Sequence, residues 1–305
     1  MENSWKYKFY HMLSTSESLC DEPAELAYEY KSKYLPKNIY RYRSLNKIDR
    51  EKQNLENDKL YLASPDDFND PYDCACKINN NLVIYYECTF FYLMLYAKKN
   101  TGIFRRSLLD YRSMIQSCSH YRKSYLKKYK EHHSIPGYDE IISNAKDNIL
   151  ISCFSETYNS VLMWSHYANE HKGICIEYDL HALDDNKRSI FNKRMHPVIY
   201  SNTVADITQV AIDTIFKSPP ENIITYMLIK PAIYKAIDWS YEKEWRIILP
   251  KIQNREIETP TPSKIILGAR ISEDDEEWVR KLCTERSIKV VKAVHSNIYH
   301  SMNLV

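Results

Sequence analysis

Two periods of hydrophobic and polar positions interleave along this chain, and the segments where each holds predict an α+β fold. Residues 17–34 carry the helical spacing and stop at Pro36. Residues 38–43 then alternate strictly, with Tyr40 and Tyr42 against Arg41 and Arg43, which predicts a strand with both arginines on one face. A polar helix and a second short strand over 59–64 follow, ended by Pro65. Phe68, Asn69, Asp70, Pro71 and Tyr72 have turn chemistry, because Asn and Asp side chains cap nearby backbone N–H groups and proline fixes φ.

Residues 82–97, 103–133 and 139–148 read as helices, a helical insertion over about 80–148. Strands resume at 149–154 and 173–178, around a helix over about 160–170, and again at 196–200. Helices over 203–217 and 220–234 precede a strand over 244–249. The pattern closes on a strand, helix, strand unit over 264–294. No repeat, low-complexity tract or Gly/Ser linker interrupts the alternation, so it predicts one α+β domain over 1–305, with the last unit as scaffold.

Composition narrows the ligand chemistry. Only four glycines occur, Gly102, Gly137, Gly173 and Gly268, each isolated, so glycine-rich phosphate loops and nucleophile elbows are excluded. A bound nucleotide must be gripped by side chains, and 26 tyrosines offer stacking surfaces. The helix after Gly268 gives no anion site, since Ser272 is a plausible N-cap but Glu273, Asp274, Asp275, Glu276 and Glu277 fill its start and repel phosphate. The eight cysteines contain no C-x-x-C pair, the N-terminus lacks an apolar signal core, and the apolar run at 82–97 is too short to span a bilayer. These features predict a reduced, cytoplasmic protein with no membrane partner.

The net charge of +2 exerts no global pull on nucleic acid. Locally, helix 103–133 sets eight basic residues against Asp110 and Glu131, with Tyr121, Tyr125 and Tyr129 one turn apart. Such interleaving suits a nucleic-acid or protein target as well as a solvated basic face. His166 and His171 are five apart and do not share the helix face of the H-E-x-x-H pattern, so no metal site is expected. A Cys153–His166 nucleophilic pair is compatible with the sequence. On the strand over 244–249, a period of two places Glu242, Glu244 and Arg246 on one face, where paired carboxylates repel unless a cation or substrate separates them.

Six boxes together resemble a widespread bacterial family of unknown function, DUF2971: residues 39–43, 60–65, 68–71, 153–156, 163–168 with Gly173, and 242–246. The chain also bears a weaker resemblance to the ADP-ribosyltransferase fold, mixed sheets around a cleft that cleaves NAD without a glycine-rich loop. By that resemblance, Arg41 or Arg43 contacts NAD phosphate or ribose. Ser64 orients the first-strand residue or the nicotinamide ribose, and Glu244 holds the ribose 2′-OH. By the same resemblance, Tyr42, Tyr72, Trp164 or Tyr167 stacks on nicotinamide, and Asn69, Asp70 and His166 complete the pocket. The helical insertion departs from the usual fold. The expected activity is that of an NAD-dependent ADP-ribosyltransferase or NAD glycohydrolase, such as a toxin or anti-phage effector, with NAD as substrate and no metal. Two rivals stand beside it. One is a nuclease holding Mg²⁺ on Asp70, Glu177 and Glu242 or Glu244, and the other is a non-catalytic sensor or partner-binding protein.

Overall fold

The computed structural model describes residues 4–15, 22–45, 48–99, 119–120, 123–124, 146–216, 229–251 and 255–305. In chain order its strands are β1 (Asn38–Arg43), β2 (Lys59–Tyr61), β3 (Cys76–Lys77), β4 (Ile149–Ser155), β5 (Ile174–Asp179), β6 (Met195–Pro197), β7 (Ile199–Ser201), β8 (Ala205–Asp206), β9 (Tyr234–Ala236), β10 (Glu244–Pro250), β11 (Glu256–Glu258), β12 (Lys264–Leu267), β13 (Lys289–His295) and β14 (Met302–Leu304). With helices on both sides of the main sheet, the fold is α+β.

Eight strands form one sheet in the order β14-β13-β12-β5-β1-β4-β10-β6, antiparallel except for the parallel β12–β13 pair. The parallel pair is crossed by helix Glu273–Glu285, whose N-cap Ser272 accepts from the Asp275 N–H. Strands β4 and β5 are apolar on both faces, so they take central positions covered by layers above and below. On one face Ile39, Leu150, Phe154, Ile176, Trp245 and Ile247 pack with Leu55, Val279 and Leu282 from the helices Ile48–Glu56 and Glu273–Glu285. On the other, helices Ser4–Thr15 and Glu22–Ser32 cover the β4 and β10 end, and helix Val161–Tyr167 covers β1, β5 and β12.

The join between β1 and β4 determines where a site can form. Tyr40 pairs with Ser155, but that is the single β1–β4 register pair, whereas β1 pairs with β5 over six positions and β4 with β10 over seven. Beyond Tyr40 the two strands splay, and Ala63 bridges to Ile151 instead. The sheet is thus two halves hinged at Tyr40–Ser155, with a gap between them.

Gly173 and Gly268 close the turn after helix Val161–Tyr167, where Asn169, Glu170 and His171 are all left-handed. A Cβ on Gly173 would lie 2.1 Å from the Arg43 carbonyl oxygen, and one on Gly268 would lie 2.2 Å from that of His171. These glycines serve backbone packing, as no side chain fits.

The apolar run at 82–97 lies in helix Asn80–Lys99, where Val83 packs against Ala211 and Ile212 of helix Thr208–Phe216. No helix among the described residues is long and apolar enough to cross a membrane. The basic helix expected over 103–133, most of the 139–148 helix and the start of the 220–234 helix lie outside the described residues. The helix expected from 203 begins at Thr208, because β8 precedes it and Asp206 Oδ1 accepts the Thr208 N–H at 3.0 Å.

Candidate active site

The gap between the half-sheets opens into a cleft of about 680 Å³, lined by Tyr42 and Arg43 of β1, Cys153 and Ser155 of β4, and Glu244 of β10. The size lies within the usual range for a small-molecule site. Helix Val161–Tyr167 contributes His166 and Tyr167, and the loop after β2 contributes Phe68, Asn69 and Asp73.

Its floor is a buried charge cluster built around β10. Glu244 and Arg246 lie two apart on one face of the strand, and Arg246 Nε and Nη2 each donate to a Glu244 oxygen at 3.0 Å. Asp73 takes the other edge of the guanidinium, with Nη1 to Oδ1 at 2.6 Å and Nη2 to Oδ2 at 2.7 Å, and Nη1 also donates to the Ala232 carbonyl at 2.8 Å. All five donors are used, so this fully buried arginine acts as a scaffold that fixes two carboxylates. The 3-10 segment Ile237–Glu242 delivers Glu242 to the same place, because Lys243 turns left-handed at φ 47° between the two glutamates. Lys235 of β9 donates to Glu242 at 2.5 Å and Glu244 at 3.2 Å, and lies 3.8 Å from Asp73. Tyr167 donates its hydroxyl proton to Glu242 Oε1 at 2.6 Å, and the Glu244 N–H donates to the Tyr200 hydroxyl at 2.8 Å.

The cluster holds three carboxylates, Asp73, Glu242 and Glu244, against two cations, Lys235 and Arg246, and so carries one negative charge in excess. That excess separates the two glutamates. Burial works against the Glu244 anion, but Arg246 and Lys235 overcome it and hold Glu244 well below the usual carboxylate range. Burial and then the Glu244 charge push Glu242 up to about 7, against the pull of Lys235 and the Tyr167 hydrogen bond. Two neighbouring carboxyl groups with opposite protonation tendencies are the arrangement from which acid–base roles are assigned.

The residues singled out from the sequence divide into two sets. Arg43, Tyr42, Asn69, His166, Tyr167 and Glu244 line the cleft. Arg41, Ser64, Asp70 and Trp164 do not, and each has a physical reason. Paired residues share a face, so Tyr40, Ser155 and Glu244 lie in line and both Arg41 and Arg43 point to the opposite side, but Arg43, the last residue of β1, is part-exposed and lines the cleft whereas Arg41 is buried. There Arg41 is buried, donates to the Tyr61 carbonyl at 3.2 Å and lies 3.8 Å from Glu51. Arg41 and Ser64 therefore do not converge with Glu244 as the weaker resemblance implies, whereas Arg43 shares the cleft with it. Ser64 starts the 3-10 turn Pro65–Asp67 and its N–H donates to Asp67. Asp70 is buried and accepts the Tyr72 N–H at 2.8 Å, an Asx-type turn that leaves Tyr72 exposed. Trp164 is core, with its indole N–H on the Tyr158 carbonyl and its ring against the edge of Tyr42.

The rival constellations are not assembled. Glu177 accepts from Lys264 and Ser263, apart from the groups that hold Asp70 and Glu242. Among the described residues, no group of three His, Cys, Asp or Glu could hold a metal ion. Cys153 lines the cleft, but burial and then the Glu244 charge push its thiol well above its ordinary value. His166 is exposed among Tyr167, Trp239 and Tyr241, with ring centroids 6.3 to 6.4 Å away.

Asp73 and Lys235, both central to the floor, were not anticipated from the sequence. Lys235 carried a signal, as a lone charge in an apolar run from Ile233 to Ala236. Asp73 carried none beyond its place just after the turn box.

No curated protein and no solved structure matches this chain. Residues 163–247 match the model of a family described as a protein of unknown function, DUF2971, a span running from the helix that bears His166 and Tyr167 through Lys235 and Glu242 to Arg246. Over that segment, a little over a quarter of the chain, the protein is similar to the DUF2971 family.

Proposed function

We propose that this cleft binds NAD and cleaves its N-glycosidic bond, passing ADP-ribose to water or to an acceptor side chain or base. The observation that carries the reading is the Glu242–Glu244 pair on the floor, with one negative charge in excess when both are ionised and with Glu242 raised to about 7. When the bond from the ribose anomeric carbon to the nicotinamide nitrogen breaks, the electron pair leaves with nicotinamide and positive charge develops on the sugar. A preorganised anion in a water-poor site stabilises that charge. The attacking O–H or N–H then bonds to the anomeric carbon and gives its proton to Glu242. Glu244, locked by Arg246 and Lys235, fixes the field and the position of its neighbour. This shifts the principal role from Glu244, where the sequence placed it, to Glu242. Tyr42, Phe68 and Tyr167 supply walls for flat rings, and Arg43 takes the first-strand role instead of Arg41.

Incubation with NAD, following released nicotinamide, tests the reading. The wild type releases nicotinamide, and Glu242→Gln and Glu244→Gln each slow release by roughly 10²-fold or more, as for loss of one electrostatic group from such a site. No release by the wild type, with or without nucleic acid and cell extract, rejects the proposal.

A further inference from the structure

The mouth of the cleft carries a second cluster, opposite in sign to the floor. Glu51, which is 5% exposed, lies within 3.8 Å of three arginines: Arg41 Nη1 at 3.8 Å, Arg43 Nε at 3.6 Å and Arg50 Nη2 at 3.8 Å. Arg50 stacks its guanidinium on the Tyr61 ring at 3.9 Å, and Arg255 donates to the Tyr61 hydroxyl at 3.2 Å and to Asp67 at 3.3 Å. Three arginines that line the cleft, Arg43, Arg50 and Arg255, thus face two carboxylates, Glu51 and Asp67, a surplus of one positive charge, and buried Arg41 adds another behind Glu51. Burial, then the charge of Arg43, push Arg41 down to about 9, against the pull of Glu51.

The three outer arginines are available to a ligand. Arg43, Arg50, Tyr61 and Arg255 all line the cleft, and the arginine side chains are 27%, 39% and 37% exposed. The Nε atoms of Arg41, Arg43 and Arg50 are buried without a hydrogen-bond partner, so the protein leaves this donor set under-used. Stacking on Tyr61 fixes the plane of Arg50, whose side chain is partly exposed to an acceptor in the cleft. Arginine forks match phosphoryl oxygens in this way, and three arginines along one wall match a group with two phosphoryl units.

We infer that Arg43, Arg50 and Arg255 form a diphosphate subsite, which makes the substrate class a nucleoside diphosphate conjugate rather than a neutral nucleoside. The inference deepens the reading of the cleft above but depends only on its binding a ligand there, not on cleavage. The polar floor and the basic mouth then orient the conjugate, with the diphosphate outward and the reacting sugar over Glu242.

Calorimetric titration with inorganic pyrophosphate, ADP and adenosine tests it on the full chain. The wild type binds pyrophosphate and ADP, and adenosine at least tenfold more weakly than ADP. Arg50→Gln and Arg255→Gln each weaken ADP at least tenfold, while their thermal midpoints confirm folding, as expected for partly exposed side chains. A wild-type chain that binds pyrophosphate and ADP but never cleaves NAD loses only the catalytic reading. Absence of pyrophosphate and ADP binding, equal affinity for ADP and adenosine, or ADP affinity unchanged in both Arg50→Gln and Arg255→Gln overturns the inference. A single-stranded oligonucleotide that binds more tightly than ADP with the same dependence on Arg50 and Arg255 also overturns it, because those arginines then follow a polynucleotide backbone.

Discussion

Replacing Glu242 by glutamine removes the surplus charge of the floor without leaving an unpaired cation, since Asp73 and Glu244 still balance Lys235 and Arg246. The consequence for stability follows from the direction of its shift. Burial and the Glu244 charge raise Glu242 from 4.5 to about 7, so between those values the folded chain keeps a proton that the unfolded chain has released. Stability therefore falls as pH rises through this window and levels off above it. A span of about 2.5 pH units, at roughly 1.36 kcal/mol each, amounts to about 3 kcal/mol. With an unfolding entropy of roughly 2.1 cal/mol/K per residue, that corresponds to a midpoint shift of about 5 °C for a chain of this length. Denaturant unfolding of wild type and Glu242→Gln from pH 4.5 to 8 measures it. The difference curve matters more than either curve alone. Buried His171 and His196, both lowered first by burial, cost the folded state stability as pH falls below their ordinary 6.5, and they cancel in the difference. The variant gains about 3 kcal/mol on wild type across the window. A difference that stays constant within about 0.5 kcal/mol, or runs the other way, refutes the placement of the excess charge on Glu242.

Two further substitutions test the parts of the cluster. Asp73→Asn strips one edge of the Arg246 guanidinium and leaves a buried cation short of acceptors, so unfolding free energy drops by about 3–5 kcal/mol and the thermal midpoint with it. Tyr167→Phe removes the hydroxyl that donates to Glu242 at 2.6 Å and favours its anion. The carboxyl then titrates at higher pH, seen as an upward move of its carboxyl resonance in a pH series by nuclear magnetic resonance, with the overall fold retained.

Much of the local structure was readable in the sequence. The alternation at 38–43 and 244–249 appears as β1 and β10, and the spacing of Glu244 and Arg246 places them on one face, where they bond. The acidic start of the last helix and its Ser272 cap are also as the sequence indicates. What the period of two cannot supply is the register between strands. It grouped Arg41 with Arg43 but gave no sign that only Arg43, at the end of β1, would line the cleft. Asp73 and Arg246 meet across 173 residues of sequence, a pairing that no local pattern encodes. Glu242 reaches the floor through a left-handed Lys243, not through the continuous strand that the spacing suggests. Helix Asp185–Arg194 was not anticipated because it is polar on most of its surface, and β9 and β11 are three residues long.

The pH dependence of nicotinamide release at low NAD concentration bears most directly on the central claim, because it reads the protonation of the free site. With Glu242 acting as the anion and proton acceptor, the wild-type rate rises through a midpoint near pH 7 and then plateaus, and Glu242→Gln is slow and flat over the same range. A wild-type rate that falls through pH 7, or a Glu242→Gln profile identical to wild type, contradicts the account.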